Sequence, residues 1–261
     1  MKKMGKQANI WVYVGFTLTL VLAMVGIFAL CLGSHTRTRA DSVEAATSGD
    51  WTYTVASNKA TITAYSGTAT DLTIPSTLGG YSVTQIGSSS ASATFLTNVR
   101  TTLTKVTIPA SVTTINQYAF RSCTALVTFA YADNIGANIT YINSNAFLGC
   151  NGLTTFRIPD GIVHIGNTIF SGCANLNEVI IPCKSSTSSA IDLGYAALSR
   201  AKKFSVTTPA SGIKPLYGVD AYGVLMKYKY VNNVGTLYNI VAFPTMYTGD
   251  SNNSYTIPNT V

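Results

Sequence analysis

The chain has 261 residues, with 17 Lys and Arg against 10 Asp and Glu. Five of the basic residues (Lys2, Lys3, Lys6, Arg37 and Arg39) precede residue 41, so the remainder holds 12 against 10 and a net charge of only +2. No Lys/Arg cluster is left to neutralise a run of phosphates, which excludes nucleic-acid binding.

Lys2, Lys3 and Lys6 precede an uncharged, mostly apolar stretch from Ile10 to Gly33. As a helix its 24 residues would reach roughly 36 Å, enough for a bilayer core of about 30 Å. The positive flank comes first, so the N-terminus is expected to stay in the cytoplasm and everything after it to be exported. Residues 1–40 therefore read as an export signal or a retained membrane anchor. Thr38-Arg39-Ala40 and Val43-Glu44-Ala45 offer acceptable cleavage positions, while the apolar stretch exceeds an ordinary signal core of about 7 to 15 residues. Both outcomes stay open, and a membrane contact through residues 10–33 follows only without cleavage.

Residues 41–50 read as a linker. Trp51-Thr-Tyr53-Thr-Val55 and Ala60-Thr-Ile62-Thr-Ala64 alternate strictly around Ser57-Asn58-Lys59, which predicts a β-hairpin over 51–66. A solenoid exposes apolar faces at its ends and needs caps, so the hairpin is assigned as the N-terminal cap.

From residue 67 to 215 the chain repeats itself. Three segments align without gaps on a Phe with a Cys three residues later: Ala119-Phe120…Cys123, Ala146-Phe147…Cys150 and Ile169-Phe170…Cys173. A leucine follows each Cys by three (Leu126, Leu153, Leu176), and Ile-Pro pairs stand at Ile108-Pro109, Ile158-Pro159 and Ile181-Pro182. The period is 23 residues from Cys150 to Cys173 and 27 from Cys123 to Cys150, because Asp133 to Asn138 holds a four-residue insertion. An earlier copy, Leu72-Thr73-Ile74-Pro75 with Val83-Thr84-Gln85-Ile86, is followed by a tract from Ser88 to Asn98 that reads as a polar insertion. A later copy is eroded, with Ala197-Leu198 for Ala-Phe, Ala201 at the Cys position and Phe204 at the leucine position.

Apolar spacings of 3, 2, 4 and 3 residues fit neither a 3.6 nor a 2.0 period for long. They fit a coil: a short strand alternates in and out, Pro ends it where a missing N–H costs little, and stacking buries the columns that one copy cannot bury alone. The predicted fold is mainly β with short turns and helical turns, a solenoid of about 23-residue coils behind an N-terminal signal or transmembrane helix.

These residues resemble the BspA-type (treponemal-type) leucine-rich-repeat family, whose copies read like Val106-Thr107-Ile108-Pro109, Ser111-Val112-Thr113-Thr114-Ile115 and Ala119-Phe120. The likeness covers about residues 70 to 261. Asn167, Tyr195 and the Ser88–Asn98 tract depart from the pattern. Residues 216–249, from Gly223-Val224-Leu225 to Ala242-Phe243-Pro244, resemble the strand-rich interlude such proteins insert between repeat blocks. The resemblance implies a surface or secreted protein that takes part in bacterial attachment to host matrix proteins and other cells.

Residues 250–261 begin a further repeat and stop within it, at Tyr255-Thr256-Ile257-Pro258-Asn259-Thr260-Val261. That predicts either a fragment of a longer protein or a copy that a partner completes. A repeat scaffold that positions an enzymatic or anchoring part beyond Val261 is the alternative to a binding module.

Chemistry-bearing residues are few. Cys123, Cys150 and Cys173 share one repeat position and are expected to form a buried column; a disulfide between adjacent coils would leave one of the three unpaired. No His joins them and no CxxC pair occurs, which speaks against a metal. Cys183 falls outside the column, and Cys31 lies in the export segment. His164 occupies an outward slot that Thr114 and Tyr141 fill in neighbouring coils. No nucleophile-elbow motif, paired-carboxylate arrangement or phosphate-cradling loop accompanies it. No catalytic residue, metal or cofactor is assigned, and no enzyme is expected within these residues. The candidate ligand-binding positions are the outward strand residues Lys105, Thr107, Thr128, Thr155, Arg157 and Glu178, because a solenoid fixes such side chains in rows. Tyr217, Tyr222, Tyr228, Tyr230, Tyr238 and Tyr247 give the interlude a second, aromatic candidate face.

Overall fold

The computed structural model describes residues 45–88, 95–184, 190–207, 217–219, 225–231 and 234–242. The predicted export helix, residues 89–94 of the Ser88–Asn98 tract, and the repeat start at 250–261 lie outside them. Among the described residues there is no helix long and apolar enough to cross a membrane. The described residues form a mainly β solenoid.

Chain order begins with three strands, β1 (Ala45–Ser48), β2 (Trp51–Ala56) and β3 (Lys59–Tyr65), paired antiparallel in the order β1-β2-β3. Ser57 and Asn58 join the last two with φ of 50° and 59°, the left-handed pair that a tight hairpin turn requires. From β3 onward the pairing turns parallel. Each coil contributes one strand to each of two walls, the first strand being the longer in every coil after the first. Strands stack on their counterparts in the next coil, except in the first wall across the four-residue insertion. The longer strands are β4 (Asp71–Thr73), β7 (Lys105–Ile108), β9 (Thr128–Tyr131), β11 (Thr155–Arg157), β13 (Glu178–Ile181) and β15 (Lys203–Val206). The shorter wall comprises β6 (Tyr81–Ile86), β8 (Thr114–Ile115), β10 (Tyr141–Ile142), β12 (His164–Ile165) and β14 (Asp192–Leu193), with β5 (Thr77–Leu78) paired antiparallel to β6. This wall runs unbroken from β3 through β14. A final antiparallel sheet, β16 (Tyr217–Val219), β17 (Leu225–Val231) and β18 (Val234–Ala242), follows the coils.

A third wall is built from the Ala-Phe segments, which bond coil to coil without being strands. Phe120 N donates to Ala146 O at 2.8 Å, Ser122 N to Leu148 O at 2.7 Å, and Gly149 N to Ser171 O at 2.7 Å. Its sharp corners come from left-handed residues at fixed places. Tyr118, Asn145, Thr168 and Ala196 have φ of 58°, 57°, 48° and 49°, each five residues before Cys123, Cys150, Cys173 or Ala201. Inside, Phe120 stacks on Phe147 (centroids 5.4 Å apart) and Phe147 on Phe170 (5.8 Å), while Phe129 and Phe156 from the longer strands meet Phe147 edge-on at 5.0 and 4.8 Å. Offset and edge-on pairs of this kind suit the ring quadrupole.

Two copies differ from the sequence reading. The Ser88–Asn98 tract is not wholly a polar insertion: Phe95 and Leu96 are buried, and Phe95 meets Phe120 edge-on at 6.0 Å, extending the ring column by one coil. In the eroded copy Phe204 does not take the leucine position. It pairs in register with Val179, because the run from Ala201 to the strand is three residues shorter than the run after Cys173.

The Cys column is internal. Cys123, Cys150 and Cys173 are free thiols and fully buried or nearly so. Cys150 Sγ donates to Phe120 O at 3.0 Å and Cys173 Sγ to Phe147 O at 3.1 Å, so each thiol satisfies a carbonyl of the preceding coil. Burial pushes the Cys123 thiol up to about 12 and raises Cys150 well above the ordinary thiol range, which keeps both protonated and unreactive.

Candidate binding face

The longer strands alternate inward and outward with period two. Leu72, Val106, Phe156, Val179 and Phe204 point into the core, as do Ile108, Ile158 and Ile181. Between them stand two outward columns. The register aligns Asp71, Lys105 and Thr128 in three coils and Thr155, Glu178 and Lys203 in the next three. Beside these run Thr73, Thr107 and Ala130, then Arg157, Ile180 and Ser205. All six sequence-selected residues therefore occupy outward positions on one face.

Their charges are not free. Lys105 Nζ is 3.0 Å from Asp71 Oδ2, Arg157 Nη2 is 2.7 Å from Asp160 Oδ1, and Lys203 Nζ is 3.4 Å from Glu178 Oε1. A hydrogen bond from Ser205, together with the Lys203 charge, holds the Glu178 carboxyl below the usual carboxylate range despite its partial burial. Exposed pairs such as these add little stability. Their consequence here is electrostatic: every charged candidate is already neutralised inside the fold, so this face offers hydrogen bonds and apolar contact.

The middle of the face is also where its sheet divides. The strands β4, β7 and β9 form one sheet and β11, β13 and β15 another, with no ladder between β9 and β11. The cause is Tyr131-Ala132, which replaces the Ile-Pro pair of other coils. Where the coils stack regularly, Ile74 N donates to Thr107 O and Ile158 N to Ile180 O. The corresponding carbonyl, Arg157 O, takes the Tyr131 hydroxyl at 2.6 Å. Burial pushes the Tyr131 phenol well above its ordinary value, so it remains a donor. The four-residue insertion closes the junction: Asp133 accepts from Ile135, Gly136 and Ala137 N–H groups, and Ile135 O then accepts from Asp160 N. At the divide Val127 is 53% exposed, where Thr104, Thr154 and Asn177 stand in other coils.

These columns, corners and buried Ala-Phe-x-x-Cys turns settle the class of repeat. The chain carries a BspA type leucine rich repeat region. The match covers residues 93–191 in six copies. Three solved structures are similar to the chain. A leucine rich cell surface protein from Faecalibacterium prausnitzii shares 26% identity, with a TM-score of 0.44, over 85% of this chain and 66% of its own. A leucine-rich repeat protein from Bacteroides capillosus shares 27% (TM-score 0.43) over 52% and 97%. The pneumococcal vaccine antigen PcpA shares 17% (TM-score 0.45) over 71% and 54%. The chain thus spans just under two thirds of the first of these proteins. No curated protein matches the chain.

Beyond the repeat face, the described residues include no group of three His, Cys, Asp or Glu side chains able to hold a metal. His164 stands outward between Tyr141 and Asp192 in adjacent coils, and its Nδ1 is 2.6 Å from Asp192 Oδ2. The sequence does not reveal that pairing, because residues 182–190 lengthen the coil and hide the register. The cue was Ile191-Asp192-Leu193 recurring as Val163-His164-Ile165. Of the interlude tyrosines, Tyr217 is buried and its hydroxyl accepts from Ile191 N at 2.7 Å, which makes it a packing residue. Tyr228, Tyr230 and Tyr238 lie on β17 and β18, whereas Tyr222 and Tyr247 fall outside the described residues.

Proposed function

We propose that the chain is an exported surface module that binds protein ligands through the outward face of its longer strands. What carries the reading is the centre of that face, where Thr128 and Ala130 end one sheet and Thr155 begins the next, none of them charged, with Val127 exposed before Thr128. Rigid solenoid strands hold these side chains in rows, so little ordering entropy is lost on binding. An uncharged centre with charge-paired flanks has the anatomy of a protein-binding patch. Export rests on the lysine-flanked apolar stretch of residues 10–33, and the ligand class on the resemblance to attachment proteins, which points to host matrix or cell-surface proteins. No step of this function needs a cofactor or a catalytic group.

The test is binding of the full chain to immobilised extracellular-matrix proteins. Thr128→Arg and Thr155→Arg place unpaired charge and bulk at the centre and are expected to weaken binding at least about tenfold. The melting temperature should hardly change, since both side chains point outward. Unchanged binding by both variants would contradict this choice of face.

A further inference from the structure

The shorter-strand wall carries surface chemistry of its own. Its outward column runs Gln85, Thr114, Tyr141, His164, Asp192, one residue per coil in strict parallel register. Tyr141 is 46% exposed, and its ring lies 6.1 Å from that of His164 at 42°. One corner further on, Ser144, Asn167 and Tyr195 follow one another in successive coils, and Tyr195 is 82% exposed, the most open large hydrophobic side chain among the described residues. Tyr195 is held in place rather than trailing, because its N–H donates to Asn167 Oδ1 at 2.8 Å and its carbonyl accepts from Thr168 N at 3.0 Å. Ser144 Oγ accepts from Asn167 N at 2.9 Å, and Asn143 Nδ2 donates to Asn116 Oδ1 at 3.2 Å, so the amides between the columns are also fixed. His164 and Asp192 of the column meet each other, Nδ1 to Oδ2.

Exposed aromatic rings flanked by fixed amides and hydroxyls are the groups that recognise sugars. A ring face covers the apolar C–H face of a pyranose, and neighbouring polar groups exchange hydrogen bonds with its hydroxyls. Coils repeat about every 4.8 Å, close to the advance of one extended pyranose unit, so a linear chain of sugars can place successive units over successive coils. We infer that the Tyr141–His164–Asp192 column, with Tyr195 one corner beyond Asp192, binds a neutral linear polysaccharide laid along the solenoid axis. This site is separate from the longer-strand face and does not rest on the function proposed for it.

The experiment is native gel electrophoresis of the full chain in gels cast with soluble neutral polysaccharides (a β-1,4-glucan, a β-1,3-glucan, amylose and a mannan), with anionic hyaluronan alongside. Retardation by at least one neutral polymer is expected. It should weaken by about tenfold in apparent affinity with Tyr141→Ala or Tyr195→Ala, and vanish when both are changed. Both side chains are exposed, so an unchanged melting temperature would show that the variants fold. The Thr128→Arg and Thr155→Arg variants should be retarded like the parent, which separates this surface from the protein-binding face. Absence of retardation by every neutral polymer, undiminished retardation of the double variant, or stronger retardation by hyaluronan would each overturn the inference.

Discussion

Replacing Phe147 by Ala is expected to cost about 3 to 5 kcal/mol, the range for truncating a buried aromatic. Phe147 is fully buried and meets four rings: Phe120, Phe129, Phe156 and Phe170, with centroids from 4.8 to 5.8 Å away. Two of these belong to the Ala-Phe wall and two to the longer strands, so the ring ties two walls of three successive coils. The hole would lie between rings held by their own coil-to-coil hydrogen bonds and would not collapse easily, which favours the upper part of the range. In a thermal melt the loss corresponds to a fall of roughly 10 °C or more for a domain of this size. Thr107→Ala, on the outward side of β7, is expected to move the melt by no more than a degree or two. Equal mildness of the two changes would mean that the inward and outward assignment is inverted.

Gly166→Ala should be costly for the opposite reason. A Cβ there would meet Ser144 N, together with the Asn143 carbonyl carbon and Ser144 Cα at 2.8 Å each. All three are backbone atoms of the preceding coil and cannot swing aside as a side chain would. Gly166 N also donates to Ile142 O at 2.7 Å, so opening the gap would stretch a coil-to-coil bond. Earlier coils carry Asn116 and Asn143 at this corner, whose amides bond in series; from Gly166 onward the backbones close up instead. The expected cost is about 3 kcal/mol, the upper part of the overpacking range, or a melt lowered by roughly 6 to 12 °C. A melt within a degree or two of the parent would show that the coils are spaced more widely than described.

The parts of this fold legible in the sequence are those that repeat. Because Phe, Cys, Leu and Ile recur at fixed separations from Phe120 to Ile181, the coil and the outward columns followed from spacing alone. The parts that escaped depend on partners from other coils. Lys105 takes its partner Asp71 from 34 residues earlier, and Glu178 takes Lys203 from the following coil. Such pairing is set by register, which the insertions after Gly87 and Cys183 obscure. Phe95 was missed because polar neighbours outweighed one aromatic, although its ring continues the column of Phe120. The divided sheet left a visible cue in Tyr131-Ala132, where the neighbouring copies read Ile-Pro. Its consequence required the hydroxyl's reach to Arg157 O, and spacing carries no information about that. The polysaccharide surface was the least legible. In the sequence Tyr195 is a departure from the repeat, and the lengthened coil before Asp192 hides its register.

The central claim is that equivalent positions stack into columns with a fixed inside and outside. Thiol labelling of the native full chain, with the modified residues mapped by peptide mass analysis, tests it directly. Cys123, Cys150 and Cys173 should stay unlabelled until the chain is unfolded, while Cys183, half-buried and outside the column, should react in the native state. Cysteines introduced by Thr107→Cys and Thr155→Cys should be labelled faster still. Native labelling of Cys123, Cys150 or Cys173 at the rate of Cys183 would contradict the column, and with it the solenoid interior built around Phe147.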